Sequence, residues 1–314
     1  MAVRASPHVY TIEDLRHWEN AAGDVLPAIK FAVIGDPVAH SASPPMHMAA
    51  LAACGIDYSY VRLHIHANDL PEAAGLLVRN GFWGANLTIP HKASIIPLLV
   101  TVDPRATLFG VVNTVAIREG GLHGYNTDGP GLARAIHADF GASLGDLCPL
   151  VLGAGGGAGR AIAIQCVIEG CKRITLVNRT QSKAEALAVQ LRDIARNLHP
   201  NGKIQIECAS PESQGLGRHS TESELILQCS SLGMKEGDAS PFPAELLTSN
   251  HLVYDTIYSR PTRLLADAQS VGARTSDGLS MLLHQGALAF EIWFPDKEAP
   301  LQIMKQALAQ AVSK

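Results

Sequence analysis

The run from Leu147 to Leu187, LCPLVLGAGGGAGRAIAIQCVIEGCKRITLVNRTQSKAEAL, limits what this chain can fold into more than any other stretch. Its apolar start predicts a strand over 149–153. Glycines interrupt it, an apolar-rich helix runs over 158–169 to Gly170, a second strand covers 173–178, and Thr180 caps another helix. Strand, tight turn, helix and strand make a βαβ unit, which requires parallel strands with the helix packed on the sheet. Within it Gly153, Ala154, Gly155, Gly156, Gly157 and Ala158 fit the spacing G-x-G-x-x-A. The first glycine permits the turn, the second lets backbone approach a pyrophosphate, and the small third residue lets the helix sit on the strand. The first amides of that helix can then bind phosphate. A glycine turn with no ligand is the plain alternative, and the surrounding βαβ unit favours a dinucleotide.

Sites that take NAD place a carboxylate at the end of the second strand, where it accepts from the ribose 2′-hydroxyl. Here that place reads Asn178-Arg179-Thr180, with Lys183 nearby. A guanidinium in place of a carboxylate suits a 2′-phosphate, so NADP is the expected cofactor.

Upstream, strand and helix also alternate. Strands are expected at 31–35 (FAVIG), 58–65 and 84–89, with helices opening at Ser43-Pro44 and near Asp69. In the second half, further strands are expected at 203–208, 224–230 and 252–258. Residues 1–30 form a preface in which Thr11 and Asp14 read as a capping box. The segment 279–294 is apolar on nearly every face, which implies a buried helix. The expected organisation is an α/β chain of two domains: a substrate domain with a parallel or mixed sheet over 31–127, joined by C-terminal helices over 277–314, and a dinucleotide domain over 128–276.

With a net charge of −4 there is no basic field to hold nucleic acid or an anionic membrane. No apolar run approaches the length of a membrane span, and nothing at the N-terminus resembles a signal peptide. The six cysteines show no C-x-x-C spacing and read as reduced thiols in a cytoplasmic protein. His64 and His66 alternate on an expected strand, but no third ligand stands at a matching spacing, so an exposed strand face is preferred and no metal is expected.

Polar clusters interrupt the apolar elements of the first half. HSASPPMH puts Ser41 and Ser43 at a helix start, where hydroxyls and amides could receive a carboxylate, although Ser43 could be an N-cap only. GANLTIPHK brings Asn86, Thr88 and Lys92; VVNTV and GYNTDGPG bring Asn113, Asn126, Thr127 and Asp128. Lys92 is out of place, because a cation in a first helical turn opposes the helix dipole. Gln285 interrupts an apolar helix and needs a partner. Separately these are turn asparagines, a cap, a surface lysine and a backbone-bonded glutamine. Together they would suit a small polyhydroxylated acid.

The ordered motifs IGDPVAHSASP, GANLTIPHK, GVVNTV, YNTDGPG, LGAGGGAGRA, VNRT, YDTIYSRPTRLL and DGLSMLLHQGALAF resemble the shikimate dehydrogenase family over 31–294. The resemblance implies a Rossmann-type NADP domain and reversible NADPH-linked reduction of 3-dehydroshikimate to shikimate, a step towards the aromatic amino acids. It also implies Lys92 as catalytic acid and base with Asp128 as its partner. Ser41 and Ser43 would hold the substrate carboxylate, with Tyr258 near it, and Asn86, Thr88, Asn113 and Gln285 would line the pocket. Gly153 to Ala158 and Asn178 to Thr180 would hold the cofactor, in a monomer or homodimer. The serine motif reads S-A-S where relatives carry a central lysine, His91 stands at a usually apolar or aromatic position, and the glycine loop is one residue longer than the common form. Alternatives are a quinate/shikimate dehydrogenase using NAD(P), and a non-catalytic shikimate-binding paralogue.

Overall fold

The computed structural model describes residues 8–213 and 215–313; the first seven residues of the preface, Gln214 and Lys314 lie outside it. The chain forms two compact units, one running through Asp128 and resumed from Leu283, the other Gly129–Leu282.

The first unit is built on seven strands: β1 (Val9–Thr11), β2 (Ile29–Gly35), β3 (Ser59–His64), β4 (Gly84–Leu87), β5 (Thr101–Val102), β6 (Thr114–Arg118) and β7 (Gly121–Tyr125). They form a mixed sheet in the order β1-β3-β2-β4-β6-β7-β5. β1, β3, β2 and β4 are mutually parallel, whereas β6 runs antiparallel to β4 and pairs with β7 as a hairpin. The central strand β2 is buried along almost its whole length, as the apolar run from Phe31 to Ile34 requires. Leu63, Leu77, Phe82 and Ala85 form part of the core beside it.

The preface belongs to this core. Tyr10 and Leu15 are buried in it, β1 extends the sheet beside β3, and both the amide and the hydroxyl of Thr11 donate to Asp14 Oδ2 at the start of helix Ile12–Arg16. The helix beginning at the serine motif runs Ser43–Ala53 with Ala42, not Ser43, at its N-cap, so Ser43 is its first residue and the N-cap alternative is corrected. The helix Gly278–Trp293 ends against β2: Trp293 packs on Phe31 at 4.8 Å and donates to Val115 O at 3.0 Å. Helix Leu301–Val312 packs on Ser43–Ala53.

The second unit has six strands: β8 (Pro149–Leu152), β9 (Arg173–Val177), β10 (Gln205–Ala209), β11 (Leu225–Gln228), β12 (Leu252–Asp255) and β13 (Arg274–Ser276), the last not anticipated from the sequence. All are parallel, in the order β10-β9-β8-β11-β12-β13. This is the doubly wound arrangement, in which the connections change direction between β8 and β11 and open a crevice at their carboxyl ends.

Candidate active site

In the first unit the polar residues of three strand ends form one continuous hydrogen-bonded chain. Lys92 lies in the short helix His91–Ser94, and its Nζ stands 2.7 Å from Asp128 Oδ2. Asp128 is also the first residue of helix Asp128–Phe140, and its Oδ1 accepts from Asn113 Nδ2 at 2.9 Å. The same amide reaches Thr127 Oγ1 at 2.9 Å, while Asn113 Oδ1 accepts from the Thr127 amide at 2.8 Å. Asn86 Nδ2 donates to Thr114 Oγ1 at 3.0 Å, and Asn86 Oδ1 accepts from the Tyr60 hydroxyl at 2.8 Å.

Asn86, Asn113, Thr114 and Thr127 are all buried, where an unmatched amide or hydroxyl would cost on the order of 1–3 kcal/mol. Mutual hydrogen bonds remove that penalty and fix each group's direction. Lys92 and Asp128 remain partly open, their side chains 31% and 19% exposed.

Ser43 is buried, as is Tyr60, and burial pushes the Tyr60 phenol well above its usual range. Ser41 is half-buried; its Oγ accepts from the Ser43 amide at 3.3 Å, and its carbonyl accepts from Arg62 Nη2 at 2.6 Å. Arg62 thus brings positive charge to the S-A-S loop, which lacks the central lysine. Thr88 is held by its backbone, donating to Ile34 O and accepting from the His91 amide. Gln285 is buried in helix Gly278–Trp293, one residue before Gly286, where an added Cβ would meet Met46 Cε at 2.2 Å. Tyr258 belongs to the second unit, in the loop after β12, and is 38% exposed.

Sequence reasoning missed Tyr60, Arg62 and Thr114. Each sits in an apolar-looking strand, and only the period-two alternation of β3 hinted that one face carried polar groups. His91 is fully buried with Nε2 2.8 Å from Ile65 O. Burial lowers its pKa below the usual imidazole value.

His47 stacks on Tyr60 at 4.5 Å and 8°. Neither of its ring nitrogens has a hydrogen-bond partner among the described residues. Burial alone pulls its pKa from 6.5 down to about 3. The ring is therefore neutral in the fold, while the unfolded chain takes up a proton below pH 6.5. Its contribution to stability is complete above pH 6.5 and is lost as pH falls towards 3, at about 1.4 kcal/mol per pH unit. Urea unfolding at pH 7, 6 and 5 should show this slope in the wild type and a shallower one in His47→Phe; equal slopes would contradict it.

In the second unit the glycine loop sits at the switch point. Gly153 has φ +76° and passes so close to Ser230, after β11, that an added Cβ would stand 2.7 Å from the Ser230 Cβ. The Gly155 amide donates to Asn178 Oδ1 at 3.1 Å, and Asn178 Nδ2 donates to Thr180 O at 2.8 Å, so Asn178 ties the loop to the end of β9. Gly156, Gly157 and Ala158 are exposed at the start of helix Gly157–Ile168. The expected packing role of Ala158 is corrected. Gly159 is the buried residue, where an added Cβ would lie 2.3 Å from Gly153 O. The third small position therefore falls one residue further on than the G-x-G-x-x-A spacing placed it.

Arg179, Thr180 and Lys183 are exposed beyond β9. Two cations and a hydroxyl, with no carboxylate among 178–183, fit a 2′-phosphate and hence NADP.

Both family-model matches fall mainly in the first unit. The substrate-binding domain model of shikimate dehydrogenase matches residues 33–115, and the C-terminal domain model of shikimate 5′-dehydrogenase matches 278–309. A shikimate dehydrogenase (NADP(+)) of Desulforamulus reducens is 38% identical over 288 residues, covering 90% of this chain and 95% of that one. Another, of Symbiobacterium thermophilum, is 40% identical over 285 residues, covering 89% and 93%. The crystal structure of shikimate 5-dehydrogenase from Thermus thermophilus in complex with NADP(H) and shikimate superposes with a TM-score of 0.77 at 36% identity, covering 90% of this chain and 99% of that one. Identity at this level along nearly the full length of each relative places the chain in the shikimate dehydrogenase family.

Proposed function

We propose that the protein catalyses the reversible NADPH-dependent reduction of 3-dehydroshikimate to shikimate, with Lys92 as the proton donor and acceptor and Asp128 orienting it. The observation that carries the assignment is the 2.7 Å pair of Lys92 Nζ and Asp128 Oδ2, itself braced by Asn113. NADPH supplies the hydride when bound. Reduction of the ketone leaves negative charge on its oxygen, and the Lys92 ammonium delivers a proton there; in the reverse direction the neutral amine takes it back. Asp128, held by Asn113, keeps the ammonium in one place. The buried amides and hydroxyls of Asn86 and Asn113, with Thr88 and Gln285, offer pre-set partners for the hydroxyls of the ring. Ser41 and Ser43 receive its carboxylate, with Arg62 adding charge at the serine loop.

In this reading the first unit binds substrate, residues 128–276 bind NADP, and Gly153 to Ala158 with Asn178, Arg179 and Thr180 form the cofactor site. Six free cysteines suit a reducing, cytoplasmic setting, and no described helix is long and apolar enough to cross a membrane. Lys92 and Asp128 come from one chain, so a monomer or a homodimer serves equally.

The test is cofactor reduction followed by absorbance, crossing shikimate and quinate with NADP and NAD. Turnover chiefly with shikimate and NADP is expected. Turnover chiefly with quinate or NAD would move the protein to the broader branch of the family, and silence in all four would make it a binding paralogue. Arg179→Ala should raise the KM for NADP about 10- to 100-fold with little change for NAD, as the loss of charge-assisted hydrogen bonds worth about 1.5–3 kcal/mol requires. An unchanged KM would remove Arg179 from the 2′-phosphate site.

A further inference from the structure

The carboxyl ends of β2 and β3 carry a second cluster of side chains, which hydride transfer does not use. Asp36 follows the last residue of β2, His64 is the last residue of β3, and His66 lies two residues further on. β2 and β3 are parallel neighbours with Gly35 opposite His64, so the register brings together groups 28 residues apart. His64 Nε2 stands 2.8 Å from Asp36 Oδ1, and His66 Nδ1 stands 2.8 Å from Asp36 Oδ2. The three donor atoms lie within 4.8 Å of one another. The spacing of His64 and His66 in the chain gave no third ligand because the third comes from the neighbouring strand.

Two imidazoles and a carboxylate are the donors that a borderline divalent cation prefers. Zinc bonds to such donors are about 2.0–2.2 Å long, which sets neighbouring donors about 3.0–3.4 Å apart for octahedral to tetrahedral angles. The two 2.8 Å contacts, one to each oxygen of Asp36, need to open by a few tenths of an ångström, while the two ring nitrogens, within 4.8 Å of each other, draw together by a small rotation of the exposed His66 ring. His66 is 67% exposed, so water has access to complete the coordination.

A comparable set, Glu207, His219 and Glu222, is already engaged by cations: Arg173 and Arg218 pair with its carboxylates and would repel a metal ion. The ion pairs of Asp36 are to the two histidines themselves. Behind the cluster, His91 holds the carbonyl of Ile65, the residue between the two histidines, at 2.8 Å, so the strand end has a fixed outer support.

We propose that Asp36, His64 and His66 form a binding site for one divalent cation of the zinc class, which clamps the ends of β2 and β3 beside the turn that carries Lys92. Binding is independent of turnover, so this site and the dehydrogenase reading can fail separately.

The test uses full-length protein stripped with a chelator and titrated with Zn²⁺, followed by calorimetry and by the melting temperature. One equivalent should bind at micromolar protein and raise Tm. His66→Ala, at an exposed position that leaves the fold intact, and His64→Ala should each weaken binding on the order of a hundredfold and abolish the rise in Tm, at least the cost of losing an outer support. Metal-free Tm values of both variants close to that of the wild type would show that the fold is retained. Because six free thiols are present, the same titration with Co²⁺ should show absorption from nitrogen and oxygen ligands without a thiolate charge-transfer band. No stoichiometric binding, binding undiminished in both variants, or a thiolate band would each overturn the proposal.

Discussion

Lys92→Ala should lower kcat for shikimate oxidation by about 10²- to 10⁴-fold, the usual share of a positioned general acid or base, while the KM for shikimate should change far less. The side chain is 31% exposed and its hydrogen bond is to Asp128, so removing it opens no apolar cavity and stability should fall by well under what a core truncation costs. Asp128 keeps Asn113 as a partner, so the remaining carboxylate is not left bare. Steady-state kinetics with NADP, together with urea unfolding of the same variant, separates lost chemistry from lost structure. Turnover within a few-fold of wild type would remove Lys92 from the reaction. Lys92→Arg restores the charge but not the compact ammonium, and it should recover little, because a guanidinium cannot give up its proton in the reduction direction.

Gly159→Ala should have the largest effect in the second unit. Its Cβ would meet Gly153 O at 2.3 Å and Ala154 Cα at 2.8 Å, and neither backbone atom can move without shifting the glycine loop or lifting helix Gly157–Ile168 from β8. Overpacking of this kind costs about 1–3 kcal/mol. The displaced start of the helix also misdirects the amides that would face a pyrophosphate, so the KM for NADP should rise tenfold or more, on the order of the 1.4 kcal/mol that each tenfold represents. Ala158→Ser, one residue earlier on the exposed side, should stay within about 0.5 kcal/mol of wild-type stability. If Gly159→Ala leaves both stability and the KM intact, the packing frame Gly153, Gly155 and Gly159 is wrong.

The difference between these two neighbouring positions shows where sequence reading stops. G-x-G-x-x-A identified the loop, since alternation of strand, glycine turn and helix is decided by residues adjacent in the chain. It could not say which small residue meets the strand, because the helix turns Ala158 outward and Gly159 inward. The serine motif behaves the same way. Its helix start was legible from Ser43-Pro44, but the cap falls on Ala42, and the Ser43 amide donates to the Ser41 hydroxyl two residues back.

Tyr60, Arg62 and Thr114 went unnoticed for a related reason. A tyrosine or threonine in a strand is ordinary on propensity grounds, and only its partner across the sheet makes it part of a site. Asp36 joins His64 and His66 through strand register, a relation between residues 28 positions apart that no local spacing encodes. Local periodicity, turn chemistry and motif order determined the α/β class, the βαβ units and the cofactor type, and singled out Lys92 and Asp128, which stand 2.7 Å apart. Tertiary structure alone decided the strand order, the chain of hydrogen bonds from Tyr60 to Lys92 and the convergence on Asp36, because burial satisfies polar groups with whichever partners the sheet register brings within reach.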